Sequence, residues 1–202
     1  MRRATIAGVP DAMSDVLSLV RMRCEFICAN EYSAPWCFSF RKHIAHFHIV
    51  ERGTAFVTLS GREPLRMETG DLAILPLGAG HILGSEPGLK PAPIEQALAR
   101  GGRHEGTVYR MGGGGPETHV VCGQFSFEGV LAPKLLNVLP PLINIAAPPG
   151  RPFEWLKLTS QFLIEEARAA RPGFVIMVAR LLDLLFVQAV REWGAKSQKN
   201  LG

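Results

Sequence analysis

Short apolar runs separated by turn residues fill roughly the first 130 residues, and this pattern predicts β-strands. The runs lie at residues 36–40, 48–50, 54–59, 72–75 and 120–127, with Gly53, Ser60–Gly61 and Gly70–Asp71 among the turns between them. Several short strands at close spacing are typical of a β-sandwich or barrel. No helical pattern between these strands is long enough for a crossover connection, which argues against a parallel α/β sheet.

Helical patterns are sparse at first and dominate the end of the chain. Residues 14–21 and 93–100 predict short helices, and two longer helices are predicted at 155–170 and 174–193, after the Pro- and Gly-rich segment 148–152. We therefore expect a β-barrel part at residues 1–147 and a helical segment at 148–202, whose polar end reads like the start of a linker.

The helix predicted at 174–193 is apolar around most of its circumference. It contains Arg180 and Asp183, and a charge at the centre of a bilayer costs about 2.5–3.5 kcal/mol, so we predict a buried or interfacial helix and no membrane association. One side can pack on the chain's own core, while burial of the other side requires a partner. The sequence therefore predicts a homodimer, with an interface drawn from Leu181, Leu184, Leu185 and Gln188.

Composition narrows the class of protein. The chain has 202 residues, 47% of them hydrophobic and 20% charged, which excludes a disordered protein. Its formal net charge of +4 is too small for a densely basic nucleic-acid binder. The four cysteines form no Cys-x-x-Cys pair, so we interpret them as reduced thiols of a cytoplasmic protein.

The most informative motif runs from Gly70 to His81, with the sequence GDLAILPLGAGH. Gly70–Asp71 forms a tight turn into a buried strand, Pro76 ends that strand, and Gly78 and Gly80 permit a positive φ. This motif resembles the second sequence motif of the cupin superfamily, which implies a double-stranded β-helix, a jelly-roll barrel with a pocket inside. The segment 46–56 is similar to the first cupin motif, but the glutamate of that pattern is out of register. The metal-binding quartet of the cupin enzymes is therefore incomplete.

The wider pattern, from Asp15 to Trp193, resembles the sensor domain of AraC-type transcription regulators. The resemblance implies that a small effector binds in the barrel, that the terminal helices dimerise, and that a separate C-terminal helix-turn-helix domain binds DNA. That domain is missing from this sequence, so we expect a truncated chain rather than a naturally stand-alone sensor. The alternative is a stand-alone metal-dependent cupin enzyme, a dioxygenase or an isomerase.

Candidate site residues follow from the predicted strands. His46 and His48 lie two residues apart and should face the same side of a strand. With His81 and Cys122 they could bind zinc or another divalent transition metal. The alternative is a set of hydrogen-bonded pocket histidines beside a buried thiol.

The effector is expected to contact Trp36, Phe38, His48, Phe56 and His81, although aromatic residues at strand spacing are more often simple core. No nucleophile with a matching base stands out from the spacing, so no catalytic residue is predicted. A sugar, an aromatic acid and a nucleotide all remain open as effectors.

Overall fold

The computed structural model describes residues 21–99, 103–105, 108–129, 136–147, 153–169 and 171–199. In chain order the strands are β1 (Arg21–Ser33), β2 (Cys37–Phe40), β3 (Ala45–Arg52), β4 (Thr54–Leu59), β5 (Leu65–Glu68), β6 (Leu72–Leu75), β7 (His81–Gly84), β8 (Ala92–Pro93), β9 (Arg103–Glu105), β10 (Val108–Gly112), β11 (Glu117–Glu128) and β12 (Ile143–Ile145). The helices are α1 (Ile94–Ala99), α2 (Glu154–Ala169) and α3 (Phe174–Lys199).

Two sheets form the β part of the molecule. The larger sheet has the order β12-β6-β3-β11-β1-β10-β9, and the smaller one has the order β5-β4-β7-β2-β8. Neighbouring strands are antiparallel except for β1 with β10 and β2 with β8. The predicted fold class, a mainly β barrel followed by helices, is confirmed.

The two faces of the larger sheet contact different layers. Along β3, Phe47 and Ile49 belong to the core shared with α2 and α3, while Val50 belongs to the core shared with the smaller sheet. His46 and His48 have the opposite parity to Phe47 and Ile49, so they face the smaller sheet. The result is a helix layer, a large sheet and a small sheet stacked in that order.

Glycines make two of the predicted turns possible. Gly53 between β3 and β4 has φ +87°, and a Cβ there would lie 2.6 Å from the carbonyl oxygen of Glu117. Gly78 has φ +62° and lies against the backbone of Ile44. Gly80 does not need a positive φ; a Cβ there would instead meet the Lys42 side chain at 2.8 Å. The glycine at position 80 therefore serves a close approach and not a left-handed turn.

The predicted helices are found with shifted ends. Their observed bounds are 94–99, 154–169 and 174–199, and most of the helix predicted at 14–21 lies outside the described residues. The segment 194–199, expected to be linker, continues α3, since Ala195, Lys196 and Gln198 favour helix and offset the cost of Gly194. The proposed domain boundary at 147/148 borders residues that the structure does not describe.

Two other predictions concerned α3. Leu185 is fully buried in the core against the large sheet, so its assignment to a dimer interface is wrong. An all-round apolar helix gives no sequence signal to tell its inner face from its outer face. Within the described ranges, no helix is long and apolar enough to cross a membrane.

Candidate functional site

A row of side chains crosses the larger sheet on the face turned toward the smaller sheet. Cys28 on β1 pairs with Cys122 on β11, and Cys122 pairs with His48 on β3. The next row toward the cavity holds Gln124 paired with His46. Antiparallel register therefore brings together residues that lie up to about ninety positions apart in the sequence.

Hydrogen bonds link Cys122, His48 and His81 in a chain. The Sγ atom of Cys122 lies 3.1 Å from Nδ1 of His48, and Nε2 of His48 lies 2.8 Å from Nε2 of His81. Nδ1 of His81 lies 3.1 Å from the carbonyl oxygen of Ala79. A carbonyl only accepts, so Nδ1 of His81 carries its proton and Nε2 of a neutral His81 accepts. His48 then donates from Nε2, and its Nδ1 accepts the thiol proton of Cys122.

The electrostatics of the site favour this neutral arrangement. Burial lowers the pKa of His81 to about 3 and that of His46 to about 4. Burial, with the neighbouring imidazoles, also lowers the pKa of His48 well below its usual range. Desolvation raises the pKa of the Cys122 thiol well above its usual range. Each group is therefore uncharged at neutral pH, as the direction of every hydrogen bond in the chain requires.

Phe40 on β2 packs against the imidazoles; it is paired with His81 in the smaller sheet and faces His46 of the larger sheet. Its ring stacks on His81 with centroids 4.6 Å apart and planes inclined by 5°, and it meets His46 edge-on at 5.2 Å. Nδ1 of His46 is buried and makes no hydrogen bond. His46 is thus held by aromatic packing and lies outside the Cys122–His48–His81 chain.

A cavity of about 340 Å³ lies beside this cluster. It is bounded by one face of β1, by β2, β3 and β11, and by the short helix α1. Its described lining residues are Glu25, Phe26, Cys28, Asn30, Tyr32, Phe40, His46, Ile94, Glu95, Leu98, Cys122, Gly123 and Gln124.

The five residues predicted to contact the effector lie in three separate places. Trp36 and Phe38 pack with Tyr32, at ring distances of 4.6 and 5.1 Å, one layer behind the cavity wall. Phe56 is half-buried and lies on the opposite face of β4 from Ala55 and Val57. His48 and His81 lie in the hydrogen-bonded chain. None of these five predicted residues is among the described lining of the 340 Å³ cavity.

The predicted metal set is partly brought together. His48, His81 and Cys122 are joined by hydrogen bonds, and His46 packs beside them through its ring. In the part of the chain that the structure describes, no group of three or more His, Cys, Asp or Glu side chains is arranged to hold a metal ion. Both ring nitrogens of His48 are engaged. The alternative interpretation, hydrogen-bonded pocket histidines beside a buried thiol, describes the arrangement found.

Sequence reasoning missed the β1 and α1 sides of the cavity. Cys28, Asn30 and Tyr32 are two residues apart along β1 and so share one face, but residues 26–32 show no alternation of apolar and polar types that could have identified that face from the sequence. Ile94 and Leu98 come from a six-residue helix whose place over the barrel has no signature in the sequence.

Comparison with known proteins agrees with this architecture. The cupin family profile matches residues 11–195. The chain is 25% identical over 181 residues to the "Putative AraC-like transcription regulator" of Streptomyces lividans, covering 88% of this chain and 57% of that protein. It is 23% identical over 185 residues to the HTH-type transcriptional regulator AlkR of Acinetobacter baylyi, covering 90% of this chain and 60% of AlkR. The chain thus spans less than two thirds of the length of these relatives.

Proposed function

Because the chain belongs to the cupin family, we propose that it is the effector-binding and dimerisation part of an AraC-type transcription regulator of the cytoplasm. The observation that carries this proposal is the 340 Å³ cavity between β1, β3, β11 and α1. A cavity of this size is typical of a small-molecule site. The relatives named as transcription regulators support the same role, and DNA binding would belong to a separate helix-turn-helix domain.

The chemistry of the cluster supports binding rather than catalysis. A catalytic acid or base is tuned toward the working pH, whereas burial moves the pKa of His46 and His81 away from neutrality. A metal-dependent cupin enzyme needs ligands with free lone pairs and an open coordination position. His48 instead uses both ring nitrogens in hydrogen bonds to Cys122 and His81.

Helix α3 offers a surface for the proposed dimer. One stripe of α3 has spacings of four, three and four residues, which is the repeat of a coiled-coil seam. It consists of Met177, Leu181, Leu184 and Gln188. Met177 and Leu184 are about half exposed, at 48% and 49%. A two-fold contact between copies of this stripe buries it isologously. Of the predicted interface residues, Leu181, Leu184 and Gln188 thus stay in the proposal.

Strand β1 connects the cavity to α3. Cys28 and Asn30 line the cavity, while Ile27 and Ala29, with the opposite parity, belong to the core that contains α3. The backbone N–H of Met22 also donates to the Asp183 carboxylate at 2.9 Å. A ligand that displaces β1 therefore moves the dimer helix α3. It controls the protein to the extent that its affinity differs between the two positions of β1.

A reporter assay tests the dimerisation role without a known effector. The chain is fused to a DNA-binding domain that occupies its operator only as a dimer, and repression of a reporter gene is measured. We expect the unmutated fusion to repress the reporter and Leu184→Glu to abolish that repression. The control Ser60→Glu, at an exposed position in the turn after β4, should preserve it. A monomer in sedimentation, with no repression by the unmutated fusion, would contradict the proposal.

A further inference from the structure

The apolar part of the cavity limits the size and character of its ligand. Phe26, Tyr32 and Phe40 supply aromatic surface, and Ile94 and Leu98 supply aliphatic surface from α1. An engineered apolar cavity of about 150 Å³ accommodates benzene. Scaling by volume, the 340 Å³ found here suits a molecule of about a dozen non-hydrogen atoms.

The charged side chains in the described lining of the cavity are both carboxylates. Its described lining contains two carboxylates, Glu25 and Glu95, and neither Lys nor Arg. Glu95 is paired with the exposed Arg41 at 2.9 Å. Glu25 accepts a hydrogen bond of 2.9 Å from the Ser126 hydroxyl. The nearby cations, Arg41 and Arg23, are already paired with these carboxylates, so a bound anion would meet no free cation in the described lining.

The polar groups deeper in the cavity are neutral, and those of Asn30, Cys28 and Cys122 are already hydrogen-bonded. Asn30 donates from Nδ2 to the carbonyl oxygen of Val120 at 3.0 Å and contacts the Cys28 thiol at 3.3 Å. Cys122 is bonded to His48, and burial keeps His46 uncharged. A carboxylate or phosphate entering this space would lose its hydration without gaining a charged partner, which is strongly unfavourable. A sugar would find few hydrogen-bonding groups for its many hydroxyls.

We infer that the cavity binds an uncharged, mainly apolar molecule of about a dozen non-hydrogen atoms, and that it excludes organic anions of the same shape. This inference rests on the proposed function and specifies the chemical class of its effector. It removes the aromatic acid and the nucleotide from the effectors that the sequence left open, and it disfavours the sugar.

Matched probes of equal shape and different charge test the inference. Calorimetric titration and the melting temperature of the chain are measured with 2-naphthalenemethanol against 2-naphthoate, and with 1-octanol against octanoate. We expect the alcohols to bind and to raise the melting temperature, and the carboxylates to bind at least about 100-fold more weakly. Gln124→Trp, which fills the cavity from a half-buried position, should abolish alcohol binding. Glu128→Trp, exposed on the same strand, should not.

The binding experiments test the ligand class, and the reporter assay tests the regulatory role. Carboxylates that bind as tightly as the alcohols, with binding lost in Gln124→Trp, would overturn the ligand class and leave the cavity as the effector site. Alcohol binding that survives Gln124→Trp would place the probes elsewhere and overturn the inference. Failure of both alcohols to bind would also overturn it. The reporter assay of the dimer needs no ligand, so its failure would reject the proposed function independently of these results.

Discussion

Acidification should destabilise the fold steeply, because three imidazoles are buried in their neutral form. The ordinary pKa of histidine is 6.5, and burial lowers that of His46 to about 4 and that of His81 to about 3. Above pH 6.5 both the folded and the unfolded states are neutral at these positions, so the contribution to stability is fully present. As the pH falls below that value, the unfolded chain binds protons that the folded chain does not, and stability is lost until the folded pKa is reached.

The size of the effect follows from the same values. Between neutral pH and about pH 5, the buried neutral form of His46 lowers the free energy of unfolding by about 2 kcal/mol. His81 lowers it by about the same amount, which makes about 4 kcal/mol together. His48, whose pKa is also lowered, acts in the same direction. A typical domain is stable by about 5–15 kcal/mol, so this loss is a large share of the total.

Urea denaturation followed by circular dichroism, between about pH 7.5 and about pH 5, measures the slope of stability against pH. His46→Leu removes one buried imidazole, so unfolding should take up about one proton fewer. The slope of the unfolding free energy against pH should then fall by about 1.4 kcal/mol per pH unit. His46 is suited to this change because it lies outside the Cys122–His48–His81 chain. His43→Gln, at an exposed position, is the control. A slope that is flat in the parent chain, or unchanged in His46→Leu, would refute the reasoning.

Further predictions concern packing and hydrogen bonding. Cys122→Ala should cost about 1–3 kcal/mol in urea denaturation, since it leaves the buried Nδ1 of His48 without a donor, whereas Cys122→Ser should cost less. Gly123→Ala should cost about 1–3 kcal/mol, because its Cβ would overlap the fully buried ring of Phe47, and Phe47→Leu in the same chain should recover part of the loss. Leu185→Ala should cost about 2–5 kcal/mol, since its side chain is fully buried. Chelator treatment should leave the melting temperature unchanged, and elemental analysis should find no stoichiometric transition metal, because hydrogen bonds occupy both ring nitrogens of His48.

Local patterns were sufficient to predict much of the barrel. The turn residues Gly53 and Gly78 and the strand at 72–75 follow from short-range chemistry, and the period of two correctly places His46 and His48 on one face. These features depend on neighbours in the sequence, where steric and hydrogen-bonding preferences act directly. The same locality explains why the helices 154–169 and 174–199 were found with errors mainly at their ends.

The cavity could not be predicted in the same way because distant segments build it. β1 pairs with β11 through Cys28 and Cys122, and with β10 in parallel through Ala29 and Val108. No local pattern specifies a partner strand or its register. The outward direction of Phe56 also depends on register, since a shift of one residue exchanges the two faces of a strand.

The position of β1 between the cavity and α3 determines which contacts of the proposed effector can shift an equilibrium between two states. Moving a two-state equilibrium from one state to the other requires a differential affinity of about 10⁴, or about 5.5 kcal/mol. A ligand of about a dozen atoms, at about 0.3–1.5 kcal/mol per atom, gains about 4–18 kcal/mol in all, so even at the upper end about a third of that energy must differ between the states. Contacts to a rigid wall are the same in both states and contribute nothing. Contacts to Cys28 and Asn30 differ when β1 moves, and β1 is the strand whose other face packs on α3. Under the proposed function, an apolar effector held against β1 would act on α3 through the packing of Ile27 and Ala29, without any need for charge.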